Sequence, residues 1–284
     1  MPRTKTAPVL ELLITTAIWG LNGLIVKGYA LSPLTFSFFR MGLPALVLGF
    51  YFIFIRRTLP GAGQNPGPVL LASFLNALRL VLYFTAMTLT SVGNAIIILY
   101  TWPLFTSLFE GIFLKERLDP LIKKLLPVAF AGMILVFVDK PLSFADQDFL
   151  GMSLMLLSSA IFSLSIIIFK KASPRYTPAE TIFYQNSIGA LLTIPLGLLW
   201  APFPSLGTSA VLTVFFLAGG LGGFLLFFRA LKVLPASTVS FLTYLEVFFT
   251  LLFSLLFLNE SLTWNMLAGA ILILTPKVVF LVKR

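Results

Sequence analysis

The sequence predicts an all-α integral membrane protein of ten transmembrane helices, arranged as two inverted five-helix repeats. Three observations carry that expectation: a composition too apolar for a soluble chain, basic residues that fall in alternate loops, and an internal repeat at an offset of 144 residues. Of 284 residues, 58% are apolar and 11% charged, and mean hydropathy is +1.01. A soluble domain carries about 25% charged residues, so lipid must solvate much of this surface. Cysteine and histidine are absent. Disulfides, thiolate nucleophiles, Cys/His metal centres and imidazole proton transfer are thereby excluded, and neither a cofactor nor a metal is expected.

A membrane-crossing helix takes about 20 apolar residues, and stretches of that length recur along the chain between Pro, Gly and charge clusters. The first five run about 9–30, 33–55, 68–89, 92–114 and 121–138. After the polar stretch 139–148 come five more, at about 149–169, 178–200, 208–231, 236–258 and 263–282. The first follows Arg3 and Lys5, as a signal peptide would, but it is too long for one and lacks a small-residue cleavage site. It is expected to be retained.

Lys and Arg in short loops orient such a chain. With the N-terminus inside, the inner face receives Arg3, Lys5, Arg56, Arg57, Lys115, Arg117, Lys123, Lys124, Lys170, Lys171, Arg175, Lys232, Lys283 and Arg284, whereas the outer face receives Lys140 and Lys27. The longest outer loop is acidic instead, with Asp139, Asp146 and Asp148. The expectation is a multi-pass protein of the bacterial inner (cytoplasmic) membrane with both termini cytoplasmic. The net charge of +10 then reflects topology and contact with membrane-lipid headgroups, with no nucleic-acid partner.

Offset by 144, Leu82–Leu118 aligns without a gap on Leu226–Leu262. Shared Leu and Phe carry little weight in so apolar a chain, but Tyr100/Tyr244, Thr106/Thr250 and Glu116/Glu260 also coincide. The expected units are residues 1–140 and 141–284, forming one membrane domain. Five spans per unit force the second to enter the membrane from the opposite side, an arrangement typical of transporters.

The stretch Ala230-Leu-Lys-Val-Leu-Pro-Ala-Ser through Leu245-Glu-Val to Phe257-Leu-Asn-Glu-Ser-Leu262 resembles the drug/metabolite transporter superfamily, EamA type. Phe38-Phe-Arg40 is similar to that family's arginine-bearing second helix, and Leu114-Lys-Glu-Arg-Leu118 to the acidic end of its first unit. The resemblance covers the whole chain and implies ten helices in two inverted units. Tyr100-Thr-Trp-Pro103 is similar to the Tyr-Leu-Trp-Pro of the aromatic amino acid exporter branch. The Glu-Pro pair common in the family's fourth and ninth helices is replaced here by Trp102-Pro103 and Glu246-Val247.

Polar side chains in hydrocarbon need a partner, a watery cavity or an interface. Arg79 lies about 11 residues, roughly 16 Å, into the third span, on one face with Asn76 and Tyr83. It can fork onto a substrate carboxylate or ion-pair with Glu246 at similar depth in the ninth span; Glu246 is also the candidate protonatable group. Trp19 and Asn22 share a stripe of the first span with Thr15, and Tyr100 and Trp102 sit at mid-depth in the fourth. Phe162, Ser163, Tyr184, Gln185, Ser240 and Tyr244 complete a substrate-binding set suited to a mostly apolar cavity with a few polar contacts. Ordinary helix packing is the competing reading for each aromatic. Pro103 and Pro195 allow kinks, and glycines 219, 220, 222 and 223 allow close helix approach.

No phosphate-cradling G-x-x-x-x-G-K-[ST] occurs, and the missing histidines exclude H-E-x-x-H metalloproteases and histidine-dependent serine proteases. An enzyme is not expected. The chain reads as a secondary-active or facilitative carrier exporting small organic metabolites by alternating access at a central cavity. Amino acids, aromatic or hydrophobic ones foremost, lead as cargo. The alternatives are a carrier for another metabolite or drug, such as a nucleotide sugar or choline-like cation, and a channel-like pore. A monomer or weak homodimer is expected.

Overall fold

Helices follow the apolar stretches and begin at capping hydroxyls, carboxylates and prolines. This computed structural model describes residues 6–57, 65–114, 145–200, 203–243, 245–259 and 263–282, with 127–128, 131–132, 134–135 and 138 between them. The first expected span is two helices, α1 (Thr6–Trp19) and α2 (Asn22–Tyr29), parted at Gly20 and Leu21. In α3 (Pro33–Phe50) the Ser32 hydroxyl accepts from the Thr35 amide at 3.1 Å. Pro33 occupies the first turn, where a missing N–H is tolerated. This helix runs into a π-helical segment, Tyr51–Arg56.

After α4 (Gly67–Leu89), the fourth span is again split, into α5 (Val92–Leu99) and α6 (Trp102–Phe113). Pro103 therefore starts a helix rather than kinking one, contrary to the sequence reading. The fifth expected span, about 121–138, lies mostly outside the described residues. Beyond it, α7 (Gln147–Ala172) is capped by Asp146, whose carboxylate accepts from the Phe149 amide at 2.8 Å. Next come α8 (Pro178–Trp200), which contains Pro195, and α9 (Leu206–Phe216), which passes through the π-helical segment Leu217–Gly223 into α10 (Phe224–Val233). The chain continues as α11 (Ala236–Leu242), α12 (Leu245–Phe257) and α13 (Trp264–Val282).

Among the described residues, six helical stretches are long and apolar enough to cross a membrane: Ala7–Tyr29, Pro33–Arg56, Gly67–Leu89, Val92–Phe113, Gln147–Ala172 and Leu206–Val233. The protein is a multi-pass membrane protein. Its polar groups lie inside and its apolar groups outside, because hydrocarbon cannot hydrogen-bond them. Thr15, Ser37, Arg40, Asn76, Arg79, Ser158, Asn186 and Glu246 are buried, whereas Leu46, Phe54, Ile55, Leu191, Val214 and Ile271 are 62–71% exposed.

The helices α4 and α7 pack together, as do α4 and α8, α3 and α8, α6 and α7, and α1 and α10. Each of these pairs joins the first half of the chain to the second. Shifting the bounds of α5 and α6 by 144 gives 236, 243, 246 and 257, against observed bounds of 236, 242, 245 and 257 for α11 and α12. The side chains follow. Phe105 and Phe109 stack at 6.3 Å and 26°, and Phe249 and Phe253 at the same distance and angle.

Candidate functional site

Two of the split helices, α5/α6 and α11/α12, break where they meet. The Tyr100 hydroxyl, at the break between α5 and α6, lies 2.6 Å from Glu246 Oε2 and 2.7 Å from the Thr243 carbonyl at the break between α11 and α12. Tyr100 is buried to 1% exposure, so this hydroxyl ties the two halves together inside hydrocarbon. Beside it lies a cavity of about 50 Å³.

The cavity is lined by Trp19, Asn22, Arg40, Arg79, Tyr83, Trp102, Phe162, Phe224 and Glu246, with apolar groups and the glycines 219 and 220 filling the remainder. Arg79 Nε donates to Asn76 Oδ1 at 3.2 Å, and its guanidinium lies 4.1 Å from the centre of the Phe162 ring. Arg40 Nη1 donates to Asn186 Oδ1 at 3.2 Å, and its guanidinium lies 4.4 Å from the centre of Phe224. Asn186 is held in turn by its own amide nitrogen, which donates to the Ile182 carbonyl at 2.8 Å. Cations over aromatic faces are stabilised without being neutralised.

Room for these groups comes from the glycine-rich π-helical segment. A Cβ at Gly220 would stand 3.0 Å from Arg40 Nη1, and one at Gly223 would stand 2.9 Å from Trp19 Nε1. Trp19 Nε1 donates to the Gly219 carbonyl at 3.0 Å, and the Thr15 hydroxyl to the Gly223 carbonyl at 3.1 Å. These glycines thus shape the cavity wall as well as the helix packing expected from the sequence.

Seven of the fourteen residues selected from sequence line this cavity: Trp19, Asn22, Arg79, Tyr83, Trp102, Phe162 and Glu246. Asn76 and Tyr100 stand behind it, holding Arg79 and Glu246. Three others face elsewhere. The Ser163 hydroxyl donates to the Trp102 carbonyl at 2.6 Å, Tyr184 packs on Tyr176 with ring centroids 5.8 Å apart, and Gln185 is buried away from the cavity. Tyr244 and the Ser240 side chain lie outside the described residues. The direct Arg79–Glu246 ion pair is not formed; Asn76 and Tyr100 take its place.

Arg40 was absent from the sequence-selected set. Its signal was available, since it is an arginine seven residues past Pro33 in an otherwise uncharged span. Two roomier recesses, of about 450 and 520 Å³, lie at the bundle surface beside the exposed basic residues Lys171 and Arg175, and Arg56 and Arg229. Their charged side chains are not buried, unlike those of the central space.

An apolar-skinned helical bundle with charged groups around an internal cavity has the build of a membrane transporter for small molecules. The profile of the EamA-like transporter family matches residues 7–138 and again 149–280. The chain belongs to that family. It is 26% identical over 273 residues to the pseudopaline exporter CntI of Pseudomonas aeruginosa (strain UCBPP-PA14), covering 95% of this chain and 93% of that one. It is 26% identical over 282 residues to the S-adenosylmethionine uptake transporter of Rickettsia prowazekii (strain Madrid E), covering 95% and 89%. Human solute carrier family 35 member G1 is 27% identical over 224 residues, covering 74% of this chain and 60% of that one. A crystal structure 18% identical to the chain superposes with a TM-score of 0.72, covering 99% of this chain and 98% of that one, and so shares the fold.

Proposed function

We propose that this transporter is a ten-span carrier of a bacterial inner membrane, with both termini cytoplasmic, that exports small amino compounds by alternating access at the central cavity. The observation that carries the reading is the composition of that cavity: two guanidiniums and one carboxylate between aromatic faces, where the split helices of the two halves touch. A guanidinium suits a carboxylate, a carboxylate suits an ammonium, and the rings accept an apolar side chain. Amino acids offer all three. Among the relatives, S-adenosylmethionine is itself an amino acid.

Counterflow in proteoliposomes tests this. Unlabelled amino acid on the trans side accelerates entry of labelled amino acid through a carrier. A pore gives no such acceleration, and that outcome would replace carrier by channel.

A further inference from the structure

Charge balance at the cavity narrows the cargo further. Arg40 and Arg79 are each 6% exposed, and their hydrogen-bond and ring partners are neutral: the amide oxygens of Asn186 and Asn76 and the faces of Phe224 and Phe162. Neither guanidinium has a carboxylate partner among the described residues. The one acid at the cavity, Glu246, is engaged by Tyr100. Buried charge without a counter-ion is unfavourable, and a ligand that supplies the counter-ion gains affinity from the relief.

With Glu246 ionised, the side-chain charges at the cavity are two positive and one negative. A zwitterionic amino acid leaves one guanidinium unanswered. A metabolite with two carboxylates and one ammonium answers all three groups.

We infer that the cargo is a net-anionic amphoteric metabolite, an amino dicarboxylate that places one carboxylate on Arg40, the other on Arg79, and its ammonium toward Glu246. Arg40 is then the residue that sets specificity for the second carboxylate. Its position is built for this. Asn186 fixes the guanidinium through Nη1, Phe224 supports its face, and the missing side chain of Gly220 leaves room for it. The inference rests on the carrier reading above and refines its substrate class.

The test uses the full chain in proteoliposomes and three labelled compounds on one scaffold: phenylalanine, phenylalanine amide and N-(1-carboxyethyl)phenylalanine. Binding in detergent, followed by tryptophan fluorescence, supplies a readout independent of turnover, since Trp19 and Trp102 line the cavity. The expected order is dicarboxylate first, phenylalanine second and the amide last. Arg40→Gln lowers uptake and binding of the dicarboxylate about tenfold or more, the effect of losing a charged hydrogen bond, while phenylalanine changes far less. Arg40→Lys, which keeps the charge, preserves the preference.

Equal or better handling of phenylalanine by the unmodified protein overturns the inference and leaves the amino acid carrier standing. An Arg40→Gln variant that elutes normally but loses both compounds equally overturns it too, as does loss of the preference in Arg40→Lys. Failure of all three compounds to bind or move rejects the carrier reading and this refinement together.

Discussion

Single polar atoms decide much in this protein, because each sits where water cannot replace it. Removing the Tyr100 hydroxyl by Tyr100→Phe deprives both Glu246 and the Thr243 carbonyl of a donor. Leaving such buried groups unsatisfied costs about 1–3 kcal/mol, so the variant is expected to melt several degrees lower by intrinsic fluorescence and to transport more slowly. Gly220→Ala tests the wall differently. The added Cβ stands 3.0 Å from Arg40 Nη1 and displaces it by a few tenths of an ångström, and the expected result is slower uptake with an unchanged elution profile; undiminished uptake would show that the exact placement of Arg40 is not needed. At this scale the sequence was legible for Arg79 and Glu246, polar groups in hydrocarbon that demanded a reason, although Arg40 met the same test and was passed over. It was not legible for Ser163, Tyr184 and Gln185, whose direction depends on how α7 and α8 rotate against their neighbours. Polarity alone does not set that rotation.

Spans were readable from the sequence because hydrocarbon thickness fixes their length. The expected 33–55, 68–89 and 92–114 correspond to Pro33–Arg56, Gly67–Leu89 and Val92–Phe113. The interruptions inside spans were hidden, since Gly20, Thr101 and Thr243 leave the apolar runs intact while the backbone breaks. Cross-half bonds also gather at the junction of α10 and α11. Glu110 Oε1, near the end of α6, accepts from the Ala236 amide at the start of α11 at 3.0 Å, and Lys170 donates to the carbonyls of Leu231 and Leu234 at 2.8 and 2.7 Å. Glu110→Ala removes a helix cap worth about 1 kcal/mol, a shift of about fivefold in a conformational equilibrium. In this cysteine-free chain, a single Ser107→Cys between that cap and the cavity serves as the reporter. Its reaction with a membrane-impermeant maleimide is expected to quicken by a similar factor, and an unchanged rate would mean that the cap does not hold this junction shut.

For the molecule as a whole, the proposed ten crossings require both termini on one side. Cysteines introduced singly at Arg3 and Lys283 are expected to react with impermeant reagent in inside-out vesicles only; reaction of one from each side would undo the inverted arrangement. The bonds that join the halves include Trp19 to Gly219, Arg40 to Asn186, Tyr100 to Glu246, and Ser158 to the Arg79 carbonyl at 2.8 Å. Each crosses from residues before 114 to residues after 145. Within a bilayer such bonds average about 0.6 kcal/mol apiece, and apolar faces gain nothing by leaving lipid for one another. With polar groups inside and an oily exterior, the assembly therefore lacks the adhesive force that clamps a water-soluble core. Its two parts are stitched by many small, separately breakable threads, so ordinary thermal motion can unpick one end while the other stays sewn.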